Sequence, residues 1–261
     1  MWINLSAVHD KLRTEFVGRR LMYLTSTDST MDVARREAED GAPDGTVILA
    51  EEQTAGRGRF DRKWVSPAGL NLYLTIVVRP DIARLRSLGV VTPLAACLAI
   101  DAVSAVRPLL KWPNDVIVGG KKLGGVLIES ETSGDEVRYA VVGIGINVNY
   151  KVDDPAISAI ATSLVNEAAT SVSREDLLAA LLNQFEELYQ RSSTEKGDVH
   201  EWWRARLDTI GRQVDVTFRG ETYSGTAKDV DAEGNLLLRL ADGSVMTLEA
   251  GEVSVQGYSA A

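Results

Sequence analysis

The sequence is poor in residues on which several kinds of chemistry depend. Of 261 residues only one is cysteine, Cys97, and two are histidine, His9 and His200. A lone thiol excludes a disulfide within the chain, and its setting, Pro-Leu-Ala-Ala-Cys-Leu-Ala-Ile, reads as a buried structural thiol rather than a nucleophile. The histidines lie far apart in polar surroundings, with neither metal-ligand spacing nor a triad, so zinc and serine-hydrolase chemistry are not expected. Apolar runs are short as well. No stretch reads as the ~20 residues of a membrane span, and the start, Met-Trp-Ile-Asn-Leu-Ser, lacks a basic-then-apolar signal, which together imply a cytoplasmic protein. Cations are outnumbered, 28 Lys and Arg against 37 Asp and Glu, and the net charge of -9 argues against bulk nucleic-acid binding.

Against that acidic background one stretch stands out. Gln53 to Trp64 reads Gln-Thr-Ala-Gly-Arg-Gly-Arg-Phe-Asp-Arg-Lys-Trp and packs Arg57, Arg59, Arg62 and Lys63 into one glycine-punctuated segment. Gly56 and Gly58 remove side chains beside the arginines, so backbone N–H groups and guanidinium forks can face the same anionic oxygens. A phosphate or carboxylate cradle follows; a solvated basic loop is the bland alternative.

Around this segment the pattern predicts mixed α and β structure. A helix is expected over 6–17 with Ser6 as its cap, then a strand at 21–24. Ser29 or Thr30 caps a second helix closed by Gly41. Strands at 46–51 and 71–78 flank the basic loop, and an alanine-rich helix is expected over 94–106. Lys111-Trp112-Pro113-Asn114-Asp115 bends the chain into a strand, Gly119-Gly120 turns it, and Lys122-Leu123-Gly124-Gly125 returns beside it. A strand over 137–149 carries Gly143-Ile144-Gly145-Ile146-Asn147, where the missing Cβ atoms let a ligand approach the backbone; it lacks the third glycine of a dinucleotide fingerprint. The clearest helix, 173–191, has a stripe from Leu177 to Tyr189 worth on the order of 10 kcal/mol of burial before entropy is subtracted. After Gly211 the pattern becomes four short alternating strands, read as a small β-barrel. Two domains are expected, 1–208 and 209–261.

The Gly-Arg-Gly-Arg loop, Lys-Trp-Pro-Asn-Asp, Lys-Leu-Gly-Gly and Gly-Ile-Gly-Ile-Asn occur in the order found in the biotin protein ligases, which the chain closely resembles over about residues 20–165 and again in its terminal barrel. The resemblance implies an α+β fold: a class II synthetase-like mixed sheet with packed helices, plus an SH3-like C-terminal barrel. It implies ATP-dependent formation of biotinyl-5′-AMP, followed by transfer of biotin to a lysine of a biotin carboxyl carrier protein. It places Ser29, Thr30 and Gln53 at the biotin ureido ring, and Trp64 at the wall of its pocket. Arg57, Gly58 and Arg59 fall in the loop over the adenylate, with Lys122 at the carboxylate and α-phosphate and Asp115 as its acidic partner. Asn147 falls on the nucleotide side, and Gly56, Lys111, Asn114, Gly125, Gly143 and Gly145 belong to the same motifs. Mg²⁺ is expected with ATP rather than on a dedicated set of protein ligands. The implied partners are biotin, ATP and the carrier, with neither DNA nor membrane, and a homodimer allowed. Two positions depart from the usual pattern: Met31 stands where asparagine is common, and Asp61 where glycine is common. A lipoate or octanoate ligase and a non-enzymatic RNA-binding or scaffold module are the competing readings.

Overall fold

In the computed structural model, residues 2–134, 136–249 and 251–255 are described. The chain begins with α1 (Leu5–His9), β1 (Leu21–Leu24), α2 (Thr30–Glu39), β2 (Val47–Ala50) and β3 (Leu72–Val78). There follow α3 (Ile82–Val103), β4 (Leu109–Lys111), β5 (Asp115–Val118), β6 (Lys121–Ser133) and β7 (Glu136–Ile146). Four helices come next, α4 (Pro155–Ser158), α5 (Leu164–Ala168), α6 (Arg174–Thr194) and α7 (Lys196–Arg206). The chain closes with β8 (Gln213–Phe218), β9 (Glu221–Val230), β10 (Leu236–Arg239), β11 (Val245–Leu248) and β12 (Glu252–Val255).

Seven strands form a mixed sheet in the order β1-β2-β3-β7-β6-β5-β4, in which only β1 and β2 run parallel. Strand β3, Leu-Tyr-Leu-Thr-Ile-Val-Val, is buried at every position, as its unbroken apolar run requires of a central strand covered on both faces. One face carries α3 and α6, packed on each other, and the other carries the short amphipathic α2. The terminal strands make a separate antiparallel sheet, β11-β10-β9-β8-β12, lined inside by Val214, Val216, Ala227, Leu236, Leu238 and Val253. Its core is continuous with that of the larger sheet.

Several elements differ from their sequence signals for identifiable reasons. The first helix is only five residues long and is capped by Asn4, whose Oδ1 accepts from the N–H of Ser6 and Ala7. It does not extend to 17 as expected: the N–H groups of Glu15, Phe16 and Val17 bond the buried Glu186 carboxylate, an alternative to helical bonding. Helix α3 begins at the Asp81 cap, twelve residues ahead of the expected start at 94, and runs through Pro93. The carbonyl that a residue 93 N–H would have met belongs to Gly89. By length and composition α3 is apolar enough to cross a membrane, contrary to the reading that no run approached that length. It is instead mostly buried between the sheet and α6. The strand β12, Glu-Val-Ser-Val, was not among the four strands expected after Gly211, although it alternates polar and apolar residues; it pairs in full with β8.

Candidate active site

One cavity of about 440 Å³ runs across the sheet from β3 to β4, roofed by the basic loop and by β12. At the β3 end the hydroxyl and amide groups form a chain. Gln53 Oε1 accepts from both the backbone N–H and the hydroxyl of Thr30, at 2.9 and 3.1 Å, and Thr75 donates to Thr30 Oγ1 at 2.8 Å. The Thr30 N–H can only donate, which fixes the Gln53 amide orientation. Gln53 Nε2 then donates to Ser66 Oγ at 3.1 Å, leaving its second N–H uncommitted by this chain. Ser29, the cap of α2, accepts from Met31 N–H through its Oγ and keeps its own hydroxyl proton available. This end therefore presents polar donors and acceptors beside apolar walls made by Met31, Leu74, Leu127 and Ile144.

The two glycines of β7 are sites of close approach. A Cβ at Gly143 would stand 2.6 Å from Met31 Sδ, and one at Gly145 would stand 2.7 to 2.9 Å from the Trp64 indole. Each glycine thus admits a large side chain onto the sheet, and the Trp64 ring in turn lies 5.4 Å from Lys122 Nζ.

In the middle of the cavity β5 and β6 juxtapose their motifs. Ile117 pairs with Lys122 and Asp115 with Gly125, across an irregularity that brings Lys122 Nζ to 2.7 Å from Asp115 Oδ1. Gly125 leaves room for that pair, since a Cβ there would sit 3.2 Å from Lys122 Cε. Lys111 approaches the other oxygen, Oδ2, at 3.7 Å. Burial drives the Lys111 ammonium below its ordinary value; Asp115 opposes that shift, and Lys122 and Arg62 add to it.

The basic loop closes the roof. Arg57 Nη2 bonds Asp32 at 2.7 Å, with Glu129 at 3.7 Å. Arg59 Nη1 donates at 3.2 Å to two neutral acceptors, Asn114 Oδ1 and the Gly251 carbonyl, and no carboxylate pairs with it among the described residues. Burial lowers its pKa from the ordinary arginine value, an effect only partly offset by Asp115. Arg62 pairs with Glu252 of β12. At the tip Phe60 lies in the left-handed region with φ 56°, exposed to solvent.

The expected site residues converge on this cavity, with two exceptions: Gly56 and Asn147 do not line it. Gly56 sits where the two arms of the loop meet, with a Cβ position 2.6 Å from the Trp64 carbonyl. Asn147 Nδ2 donates to the Thr162 carbonyl, bracing the segment whose Thr162 and Ile160 hydrogen-bond the Lys122 backbone. Both support residues of the cavity without lining it. The sequence reading missed the acidic partners Asp32 and Glu129 and the lining strand at Gly251 to Val255. Asp32 was detectable as the helix residue three after Ser29; nothing in the local pattern marked Gly251 to Val255 as part of a site. Among the described residues no group of three or more His, Cys, Asp or Glu could hold a metal ion.

The profile of the biotin/lipoate A/B protein ligase family matches residues 23–147, and that of the biotin protein ligase C-terminal domain matches 209–256. The chain is 34% identical over 246 residues to a bifunctional ligase/repressor BirA from Bacillus spizizenii, spanning 92% of this chain and 76% of that protein. It is 32% identical to a biotin–[acetyl-CoA-carboxylase] ligase from Mycobacterium tuberculosis, spanning 93% of each. Among solved structures, the Aquifex aeolicus biotin protein ligase in complex with biotin and ATP superposes with a TM-score of 0.75 at 28% identity, covering 92% of this chain and 100% of that one. The Leishmania major enzyme in complex with biotinyl-5-AMP gives 0.56 at 28% identity, covering 89% of this chain and 99% of that one. On these likenesses, joined to the motif-bearing cavity, the chain belongs to the biotin protein ligases of the biotin/lipoate A/B protein ligase family.

Proposed function

We propose that the protein joins biotin to ATP, forming biotinyl-5′-AMP and pyrophosphate, and then transfers the biotinyl group to a lysine of a carrier domain. The observation that carries this reading is Arg59, a half-buried guanidinium that donates to neutral acceptors and pairs with no carboxylate among the described residues, sharing one cavity with the Lys122–Asp115 pair. A desolvated cation so placed is stabilised by an incoming anion.

The cavity suits two reactants laid end to end. The ureido ring of biotin offers one carbonyl and two N–H groups to the Ser29, Thr30 and Gln53 end. Its thiophane ring meets Met31, Leu127 and the glycine strand. Its carboxylate then reaches Lys122, with the nucleotide toward β4, β5 and β12. The carboxylate oxygen attacks the α-phosphorus, the bond to pyrophosphate breaks, and a mixed anhydride remains. Two unit charges ~4 Å apart at an effective dielectric near 20 repel by about 4 kcal/mol, roughly a thousandfold in rate. Lys122, Lys111 and Arg59 offset that repulsion. Mg²⁺ is read as part of the ATP substrate, where it supplies countercharge to the departing pyrophosphate. In the second step the amine of the carrier lysine attacks the anhydride carbonyl, releasing AMP and a proton. Asp115, held between two lysines, serves better to orient them than to take up that proton.

Incubation with labelled biotin, ATP, Mg²⁺ and a biotin carboxyl carrier domain tests the reading. Label on the carrier, with biotin-dependent exchange between ATP and pyrophosphate, is expected. Exchange driven by lipoate or octanoate instead would move the protein to the other branch of its family, and no exchange with any acid would leave only a binding module.

A further inference from the structure

Within the Lys111 to Asp115 motif, Trp112 is the one large side chain with no role in the chemistry proposed above, and it is 1% exposed. Its backbone N–H donates to Thr209 Oγ1 at 2.9 Å, and its indole N–H donates to the Gly234 carbonyl at 2.9 Å. Both acceptors belong to the segment from residue 209 onward. Gly234 lies in the turn between β9 and β10, wedged against Val90 and Trp203. A Cβ at Gly251 would meet the Trp112 ring at 3.6 Å, so the same ring also touches the start of β12. Gly251 in turn accepts from Arg59, and Arg59 donates to Asn114, two residues beyond Trp112. The contacts form a closed circuit from Trp112 to the Gly234 turn, through the terminal sheet to Gly251, then Arg59, Asn114 and back to Trp112.

We propose that Trp112 is a positioning residue that lets the terminal sheet set the geometry of the nucleotide end of the cavity. The inference rests on the adenylating function proposed above. Strand β4 is the edge of the large sheet, and the turn from it into β5 is tied on its inner side by Asn114 Nδ2, which donates to the Val126 carbonyl of β6, while on its outer side, among the described residues, only a single bridge, Leu110 to Leu207, follows the strand. The two hydrogen bonds from Trp112 add a tie on the outer side, to Thr209 just ahead of the terminal sheet and to the Gly234 turn within it. Through them the terminal sheet bears on the turn that carries Lys111, Asn114 and Asp115, and so on the Asn114 acceptor that orients Arg59. The terminal sheet thereby contributes to adenylation without donating a charged group to the reactants.

The test compares Trp112→Phe with Trp203→Phe in the full-length protein. Trp112→Phe keeps an aromatic ring but removes the N–H, leaving the Gly234 carbonyl unpaired, a loss that translates to about tenfold in an equilibrium it controls. Trp203→Phe makes the same chemical change on the other side of the same turn, at an indole N–H that has no protein partner. We expect Trp112→Phe to raise KM for ATP in pyrophosphate exchange about tenfold, with KM for biotin near that of the parent. Trp203→Phe should leave both unchanged. Thr209→Val, which removes the other bond, should shift KM for ATP in the same direction. A folded Trp112→Phe protein with the parent KM for ATP overturns the proposal. So does unfolding of both Trp112→Phe and Thr209→Val, since Trp112 would then be a stability residue only. A parent protein with no biotin-dependent exchange sinks the functional reading instead, which keeps the two failures apart.

Discussion

At the scale of single residues, the ion pairs of the cavity separate groups that hold the fold from groups that await a ligand. Lys122 is about one-third exposed and its bond to Asp115 faces the cavity, so the pair contributes no more than about 1 kcal/mol to stability. Its contribution to approach of the two anions is several times larger. Lys122→Ala should therefore slow adenylate formation by a hundredfold or more, on the order set by that charge repulsion, while the melting temperature barely moves. Single-turnover adenylation measured beside a thermal melt checks it; normal adenylation with a lowered melt would make Lys122 structural. Arg59 predicts a different failure. With Lys122 and Lys111 still present, Arg59→Gly should still form the adenylate but release it faster, because the roof loses its bonds to Asn114 and Gly251. The readout is biotin label on bystander proteins such as serum albumin, and label confined to the carrier would count against the idea.

At the scale of elements, β7 shows why its motif needs glycine at alternate positions. Gly143 and Gly145 point to one face, and each makes room for a side chain from a different part of the chain, Met31 from α2 and Trp64 from the loop. Gly145→Ala should push the indole off the strand, costing ~1–3 kcal/mol by overpacking and weakening biotin binding more than ATP binding. Calorimetric titration of each ligand into the variant measures the difference. Those glycines, the basic loop and the capped start of α2 were legible in the sequence because local chemistry marks them: missing Cβ atoms, clustered cations and a hydroxyl before a helical stripe. The clearest strand, β3, was legible from its unbroken apolar run. The short α1 was not, since the N–H groups of residues 15–17, expected in the helix, bond instead to Glu186, some 170 residues away. Helix α3 was misplaced because the alanine-rich stretch marked only its second half; burial between the sheet and α6 sustains the helix through Pro93, a residue that disfavours helix interiors. The roofing role of β12 was hidden because the contacts of Gly251 and Glu252 with Arg59 and Arg62 span about 190 residues.

At the scale of the whole molecule, two sheets share one core, and the boundary expected near residue 209 is crossed by polar as well as apolar contacts. Removing residues 209–261 would strip the partners from Trp112 and uncover it with Trp203. The truncated chain should melt at a lower temperature, bind a hydrophobic dye and adenylate poorly; a truncated protein as stable and as active as the parent would show that the sheets are independent. A second global tie is the buried pair of Glu51 with Arg174, at 2.7 Å, to which Tyr23 and the Ile3 N–H also donate. Burial works to raise the Glu51 pKa, but the hydrogen bonds from Arg174, Tyr23 and Ile3 outweigh it and hold the carboxyl below its ordinary value of 4.5. The stability it contributes is therefore complete above about pH 4.5 and is lost as pH falls through the lower folded-state value. Glu51→Gln should cost ~3–5 kcal/mol at neutral pH and flatten the acid limb of the stability curve, measurable by urea unfolding across pH.

That same pair sets a schedule for the growing chain. Glu51 belongs to the segment joining β2 to the basic loop, whereas Arg174 opens α6, 123 residues later. At about 5–20 residues per second, a ribosome needs roughly 6–25 s to deliver the partner after the carboxylate has emerged. During that interval the Glu51 carboxylate lacks its guanidinium partner, and burying it unpaired would cost several kcal/mol or require its protonation. The residue that ties Ile3 and Tyr23 to the mature fold thus gains its charged partner only when α6 has been made.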